Sequence, residues 1–265
     1  PFESTALYSV DSNGVIPLQS SDRHYTTAHS FRRFVQKTIP RVIRQLPLPN
    51  PLETLVNTSP IQLSMDDRLG NPVDAITRAL SSIDSLQWSD DVSIGELQGG
   101  RGSALGKMEL FLEAKLDLYH ENRNAVDEWG TSLLSPYLHY GHIGGAEIVR
   151  EVLLREGWDP GHLPEKASGS REGWWGTTPG SEAFLDQIIT WRELGFHFCH
   201  HNLDTYDTFE GLPEWAKITL NDHASDKREE TYSLAELEGA RTADPIWNAA
   251  QRQLVQTGLM HNYLR

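Results

Sequence analysis

From residue 71 onward, every strong local signal in this chain begins, carries or ends a helix. Asn71-Pro72 sets a side-chain acceptor beside a residue with no N–H to leave unpaired, which suits a first helical turn. Asp244-Pro245 repeats that arrangement, and Pro213 opens another helix. Ser233-x-x-Glu236 is a capping box, in which each side chain accepts from the other residue's backbone N–H. Between the caps lie apolar residues at helical spacing. Met108, Phe111, Leu112, Leu118 and Tyr119 form one stripe. Phe184, Leu185, Ile188, Ile189 and Trp191 form a second within a helix over 182–200. Helices are also expected over 71–86 and 145–155. Residues 157–181, with glycines, prolines, Trp174 and Trp175, read as a surface loop. The chain is therefore mainly α, and no repeat period is evident.

The first 70 residues are mixed. Ala6–Val10 is a strand candidate, Asp11-Ser12-Asn13-Gly14 a turn, and Val15-Ile16-Pro17-Leu18 a second extended piece confined by its proline to an edge or end. Residues 25–46 carry Phe31, Phe34, Val35, Ile39, Val42, Ile43 and Leu46 at helical spacing, and Pro40 is expected to kink or divide that element. The prolines of 47–51 break the chain, and 52–70 reads as linker.

Composition excludes some classes. No run of 18 apolar residues exists, so no transmembrane helix is expected. No signal peptide is visible at Pro1. One cysteine, Cys199, rules out an internal disulfide and fits a reducing, cytoplasmic setting. The formal net charge of −14 argues against a chain-wide nucleic-acid footprint. Arg32, Arg33, Lys37, Arg41 and Arg44 make a local basic run, read as a solvated helix face.

Few residue patterns carry chemistry. Gly106-Lys107 suggests a nucleotide-triphosphate loop, but Arg101 stands where the first glycine belongs and Met108 where Ser/Thr is needed. His197, Cys199, His200 and His201 invite a metal, yet no second ligand pair has suitable spacing, so no metal site is expected. No Gly-x-Ser-x-Gly elbow anchors a hydrolase. Thr131, Ser132 and Ser135 line a helix start, with Ser135 as N-cap and Pro136 as first residue. Such a terminus can hold phosphate.

The pattern Tyr119-x3-Arg123-x7-Thr131-Ser132-x-Leu134-Ser135-Pro136-Tyr137-Leu138 resembles the flavin-binding domain of the DNA photolyase and cryptochrome family. Trp191-Arg192-Glu193-Leu194 to Phe198-Cys199 follows in order, then Asp244 to Gln251 and Gly258-x-Met260-His261-Asn262-Tyr263-Leu264-Arg265. Gly211 to Ala216 and Asp226-Lys227-Arg228-Glu229 resemble the class II photolyases in particular. The resemblance implies an all-helical FAD-binding domain over 71–265, preceded over 1–70 by the end of an α/β antenna domain and linker. It implies an internal fragment, with further flavin-contacting helices beyond Arg265.

By the same resemblance the cofactor is FAD. Thr131, Ser132, Ser135 and the backbone at Leu133 and Leu134 would hold its pyrophosphate, and Tyr119 and Arg123 would contact it. Arg265 would lie near the isoalloxazine ring. The implied reaction is light-driven splitting of cyclobutane pyrimidine dimers in damaged DNA by a monomeric enzyme. Trp191 would pack on the lesion, Asn262 would bond the flipped base, where class II members usually have glycine, and Trp247 would serve the electron route to the flavin. Trp215 is read as structural. Dimer-repairing members usually carry a glutamate three or four residues before the Trp191 position; here Ile188 and Gln187 stand there. Slower repair, a cryptochrome-type photoreceptor and a helical module without cofactor are the readings this leaves. The antenna chromophore is not specified by this stretch.

Overall fold

The computed structural model describes residues 11–48, 50, 72–83 and 95–265. Among them there is no strand, and the elements are helices joined by turns. The strand candidate Ala6–Val10 and the linker 52–70 fall outside the described residues. No described helix is long and apolar enough to cross a membrane. The chain divides into two compact units: one contains residues 11–47 and 97–231, the other 72–83 and 232–264.

The larger unit opens with a short segment and α1 (Ala28–Val42). Phe31, Val35 and Ile39, four residues apart, bury one face, and Thr27 caps the start by accepting the Ser30 N–H. Pro40 does not divide α1, which runs on through Val42 and tightens to a 3₁₀ turn at Ile43–Gln45. The proline sits in the last turn, where its missing N–H removes a single bond near an end that frays in any case. The expected extended piece at 15–18 is also absent. Val15 and Ile16 give their N–H groups to the Glu193 carboxylate instead of a neighbouring strand, and Leu18–Ser20 is a 3₁₀ turn.

Next comes α3 (Arg101–Ala114), after α2 (Pro72–Ile83) of the smaller unit. It buries Ala104, Met108, Phe111 and Leu112. The chain leaves the helix at Lys115, so the stripe does not continue as expected: Leu116 is fully buried and Leu118 exposed. The short helices α4 (Tyr119–Asn122) and α5 (Ser135–His139) precede α6 (Gly145–Arg155), which buries Ile148, Val149, Val152 and Leu153.

One helical run then extends from Pro179 to His201. Its ends are α7 (Pro179–Leu185) and α8 (Arg192–His201), and its middle, Asp186–Trp191, is π-helical. The run crosses the 115–118 turn closely: a Cβ on Gly180 would strike the Leu116 carbonyl oxygen. The loop before it runs over the surface for most of its length, as expected, but Trp174 and Trp175 turn inward and are only 3% and 6% exposed. The Glu182 carboxylate draws it inward by accepting the N–H groups of Gly173 (2.6 Å), Trp174 (2.7 Å) and Trp175 (2.9 Å). Last in this unit is α9 (Glu214–Asp222), which buries nothing and leaves Trp215 exposed, against its reading as a structural residue.

The smaller unit holds α2, α10 (Leu234–Glu238) and α11 (Pro245–Thr257). The Ser233/Glu236 capping box forms as read, and Asp244 Oδ1 accepts the N–H groups of Ile246 (2.8 Å) and Trp247 (3.1 Å). Gly258, at φ 71°, ends α11 in the left-handed conformation. Asn262–Leu264 beyond it is a 3₁₀ turn.

Candidate cofactor and substrate site

The hydroxyl-rich segment is strained. Trp129 (φ 46°) and Leu133 (φ 56°) both occupy left-handed backbone, at a cost of roughly 1–2 kcal/mol for a residue with a side chain. Between them, Gly130 passes so close to α4 that a Cβ would strike the Asn122 backbone. Lys115 Nζ ties the segment down by donating to the Trp129 carbonyl (2.7 Å). Strain held in place by neighbours marks a stretch whose backbone shape matters. Leu134 is right-handed (φ −85°, ψ −12°), so Leu133 and Leu134 alternate in hand, a pairing that anion-binding turns use.

The helix start itself is shifted from the sequence reading. Leu134, not Ser135, is the N-cap, no side chain caps α5, and Ser132 Oγ accepts the Leu134 N–H (3.3 Å). With five residues, α5 has little dipole to offer. The donors are instead the hydroxyls and the turn. Among the described residues the Thr131 and Ser135 hydroxyls have no hydrogen-bond partner, Thr131 being half-buried and Ser135 exposed. This donor set fits a pyrophosphate.

Tyr119 lies behind this segment, buried, with its ring edge-on to Phe111 (5.6 Å) and Phe184 (5.3 Å). Burial pushes its phenol pKa up, and the half-buried Arg123 guanidinium one turn on pulls it partly back. Phe184 belongs to α7, so the aromatic contact joins α4 to the run that carries Gln187 and Trp191. Those two fall in the π segment, Gln187 half-buried and Trp191 half exposed at 50%. Segments of this kind recur at functional sites. Tyr119, Arg123, Thr131 to Ser135, Gln187 and Trp191 all belong to the larger unit. Trp247, in the first turn of α11, is 45% exposed, and Asn262 opens the exposed 3₁₀ turn of the smaller unit. Arg265 is exposed at the last position.

Sequence reading names Glu193 within a motif and His197 as a metal candidate, but misses that they share a buried polar face with Glu182, Asp186 and Thr190 along the same run. Their spacing of four, four, three and four was the available signal, because it places all of them on one helix face. Asp186 pairs with Arg32 of α1 through two oxygens (2.8 and 3.2 Å). Glu193 is 2% exposed and accepts from Val15 (2.6 Å) and Ile16 (3.4 Å). Burial raises its pKa to about 7, against those backbone bonds and Arg192. His197 sits among Tyr25, Phe31 and Phe34, and burial, reinforced by His201, His200 and His24, lowers its pKa to about 4. No group of three or more His, Cys, Asp or Glu among the described residues could hold a metal ion.

No protein-family model matches the chain. A bacterial class III photolyase from Agrobacterium tumefaciens shares its fold, with a TM-score of 0.58 and 22% identity over 96% of this chain and 45% of that one. The architecture is thus the helical photolyase fold. The deoxyribodipyrimidine photo-lyase of Methanothermobacter thermautotrophicus is 34% identical over 260 residues, covering 98% of this chain and 50% of the relative. That of Arabidopsis thaliana is 30% identical over 269 residues, 99% of this chain and 48% of the relative. Along nearly its whole length the chain is thus similar to proteins named deoxyribodipyrimidine photo-lyase. It spans about half the length of the curated relatives it matches.

Proposed function

We propose that this chain is part of a class II-like deoxyribodipyrimidine photo-lyase, which uses light and reduced FAD to split cyclobutane pyrimidine dimers in damaged DNA. The observation that carries this reading is 34% identity to a protein of that name along 98% of the chain. Residues 1–70 are read as the end of the antenna domain and linker, with α1 packed into the larger unit, and 71–265 as the helical flavin domain.

When bound and reduced, FAD supplies the light-excited electron that opens the cyclobutane ring and takes it back. The chain's own residues bind and orient. Thr131, Ser132 and Ser135 hydroxyls, with the Leu133–Leu134 turn, would hold the pyrophosphate, and Tyr119 and Arg123 would wall the site. Arg265 would bring a fixed positive charge to the reduced ring, which Coulomb attraction favours where water is scarce. Trp191, half exposed, offers its indole to a flipped-out dimer, whose extrusion is cheaper because the lesion already weakens stacking. Asn262 would bond the flipped base, and Trp247 would stand on the route by which the cofactor is reduced. Gln187 can donate a hydrogen bond to a thymine carbonyl but cannot share a proton.

The test is the absorption spectrum of the full-length parent, followed by blue-light repair of a thymine-dimer oligonucleotide. Flavin bands with light-dependent loss of dimers are expected, and Gln187→Glu should raise the yield severalfold. An unchanged or lower yield in that variant would remove Gln187 from the active site. Flavin bands without repair would favour a photoreceptor, the reading to which Gln187 itself points. A protein without flavin bands would reduce the Thr131–Ser135 segment to a strained turn.

A further inference from the structure

Apart from Arg32, the charged groups of α1 are used neither by the fold nor by the proposed repair site, although the Arg33 stem and the His29 ring lie against Gly169. No Asp or Glu occurs between Asp22 and Glu53, in a chain whose formal net charge is −14. The inward face of α1 takes Phe31, Val35 and Ile39, and Arg32 is engaged with Asp186. The outward face carries His29, Arg33, Lys37 and Arg41, each four residues from the last, and Arg44 follows in the 3₁₀ turn. All five are exposed. Among the described residues Arg33, Lys37, Arg41 and Arg44 have no ion-pair partner. Like charges four apart on a helix repel, so local stability does not explain the row.

We infer that the outward face of α1 binds the phosphate backbone of nucleic acid, whether or not a lesion is present. Four residues advance an α-helix by about 6 Å, so the ridge from Arg33 to Arg44 is about 16 Å long. A duplex strand advances about 3.4 Å per phosphate, so the ridge spans roughly five phosphates. A linear, evenly charged polyanion matches an evenly spaced row of cations. A lipid surface does not fit, because a membrane-lying helix inserts an apolar face and that of α1 is already buried. The inference rests on the reading that the parent protein acts on DNA. It adds a contact that confers affinity without specificity.

The experiment measures binding to an undamaged duplex and to the same duplex with one thymine dimer, over a range of salt. The proteins are the full chain and the triple variant Arg33→Gln, Lys37→Gln, Arg41→Gln. The slope of log K against log salt is expected to fall by about 2 to 3, near 0.9 per lost phosphate contact. Affinity for both duplexes should fall by the same factor, leaving the lesion preference unchanged. A control removing the exposed Lys166, Lys227 and Arg228 should leave the slope as it was. An unchanged slope in the α1 variant, an equal fall in the control, or binding to polyglutamate but not to either duplex overturns the inference. Light-driven repair is read separately on the parent. Repair with an unchanged slope overturns this contact alone, and a slope change without repair leaves the contact standing and overturns the repair reading.

Discussion

At the scale of single residues, the buried carboxylates of the long helical run do different work. Glu193 holds the segment before α1, and Gly14 lies so close that a Cβ there would enter its carboxylate. Burial holds its pKa at about 7, above the ordinary 4.5, so folding favours its protonated form. The stabilisation is therefore complete below about pH 4.5 and is lost as pH rises through 7. Glu193→Gln keeps the shape and one acceptor while removing the titration. Relative to that variant, wild type should lose about 3 kcal/mol of unfolding free energy between pH 5 and pH 8. Denaturant titrations at the two pH values measure it, and a pH-independent difference would refute the assignment. Glu182, by contrast, organises a loop. Glu182→Ala leaves three N–H groups of 173–175 without their acceptor, a loss of roughly 3 kcal/mol. Tryptophan fluorescence should shift red as Trp174 and Trp175 reach water; an unshifted spectrum would mean that something else holds the loop.

At the scale of elements, α1 is joined to the π segment by Arg32–Asp186, a pair with side chains only 11% and 5% exposed. Removing one partner strands a buried charge, so Asp186→Ala should cost about 3 kcal/mol. Arg32→Met with Asp186→Leu should cost clearly less, and a double-mutant cycle tests this; additive losses would show that the two groups are not coupled. What the sequence disclosed here follows the range of the interaction. The Ser233/Glu236 box and the Asp244 cap are settled within three residues, and both appear where read. Ser135 was read as a cap from the same kind of local pattern, but the strained turn at Leu133 moved the start, and no local pattern reports that strain. The π segment changes hydrogen-bond partners without changing residue types, so nothing in its composition announces it. Trp174 and Trp175 lie in a stretch whose glycines and prolines read as surface; contacts outside that pattern, with Glu182 in the following helix and with Trp158, bring them in.

At the scale of the whole molecule, the two units differ in what holds them. The larger unit has a continuous apolar core from Val15 and Phe31 through Phe111 and Ile148 to Ile189. Among the described residues of the smaller unit few are buried: Ala240, Asn248, Ala250 and His261. Ile76 and Leu80 on α2 and Ile246 on α11 are exposed, so its helices rest largely on caps and on polar contacts such as Asn248 with Thr242. Apolar burial is the dominant favourable term in folding, and local opening is easiest where little of it is lost. Amides of α11 should therefore exchange with hydrogen at a lower opening free energy than those of the run from Pro179 to His201. Native-state exchange on the 265-residue chain, followed residue by residue, measures both. A gap of a few kcal/mol that closes under denaturant, with α11 opening first, is the expected result. Equal protection from the outset would mean that the smaller unit unfolds only with the larger one, and that its stability comes from something other than its own buried surface.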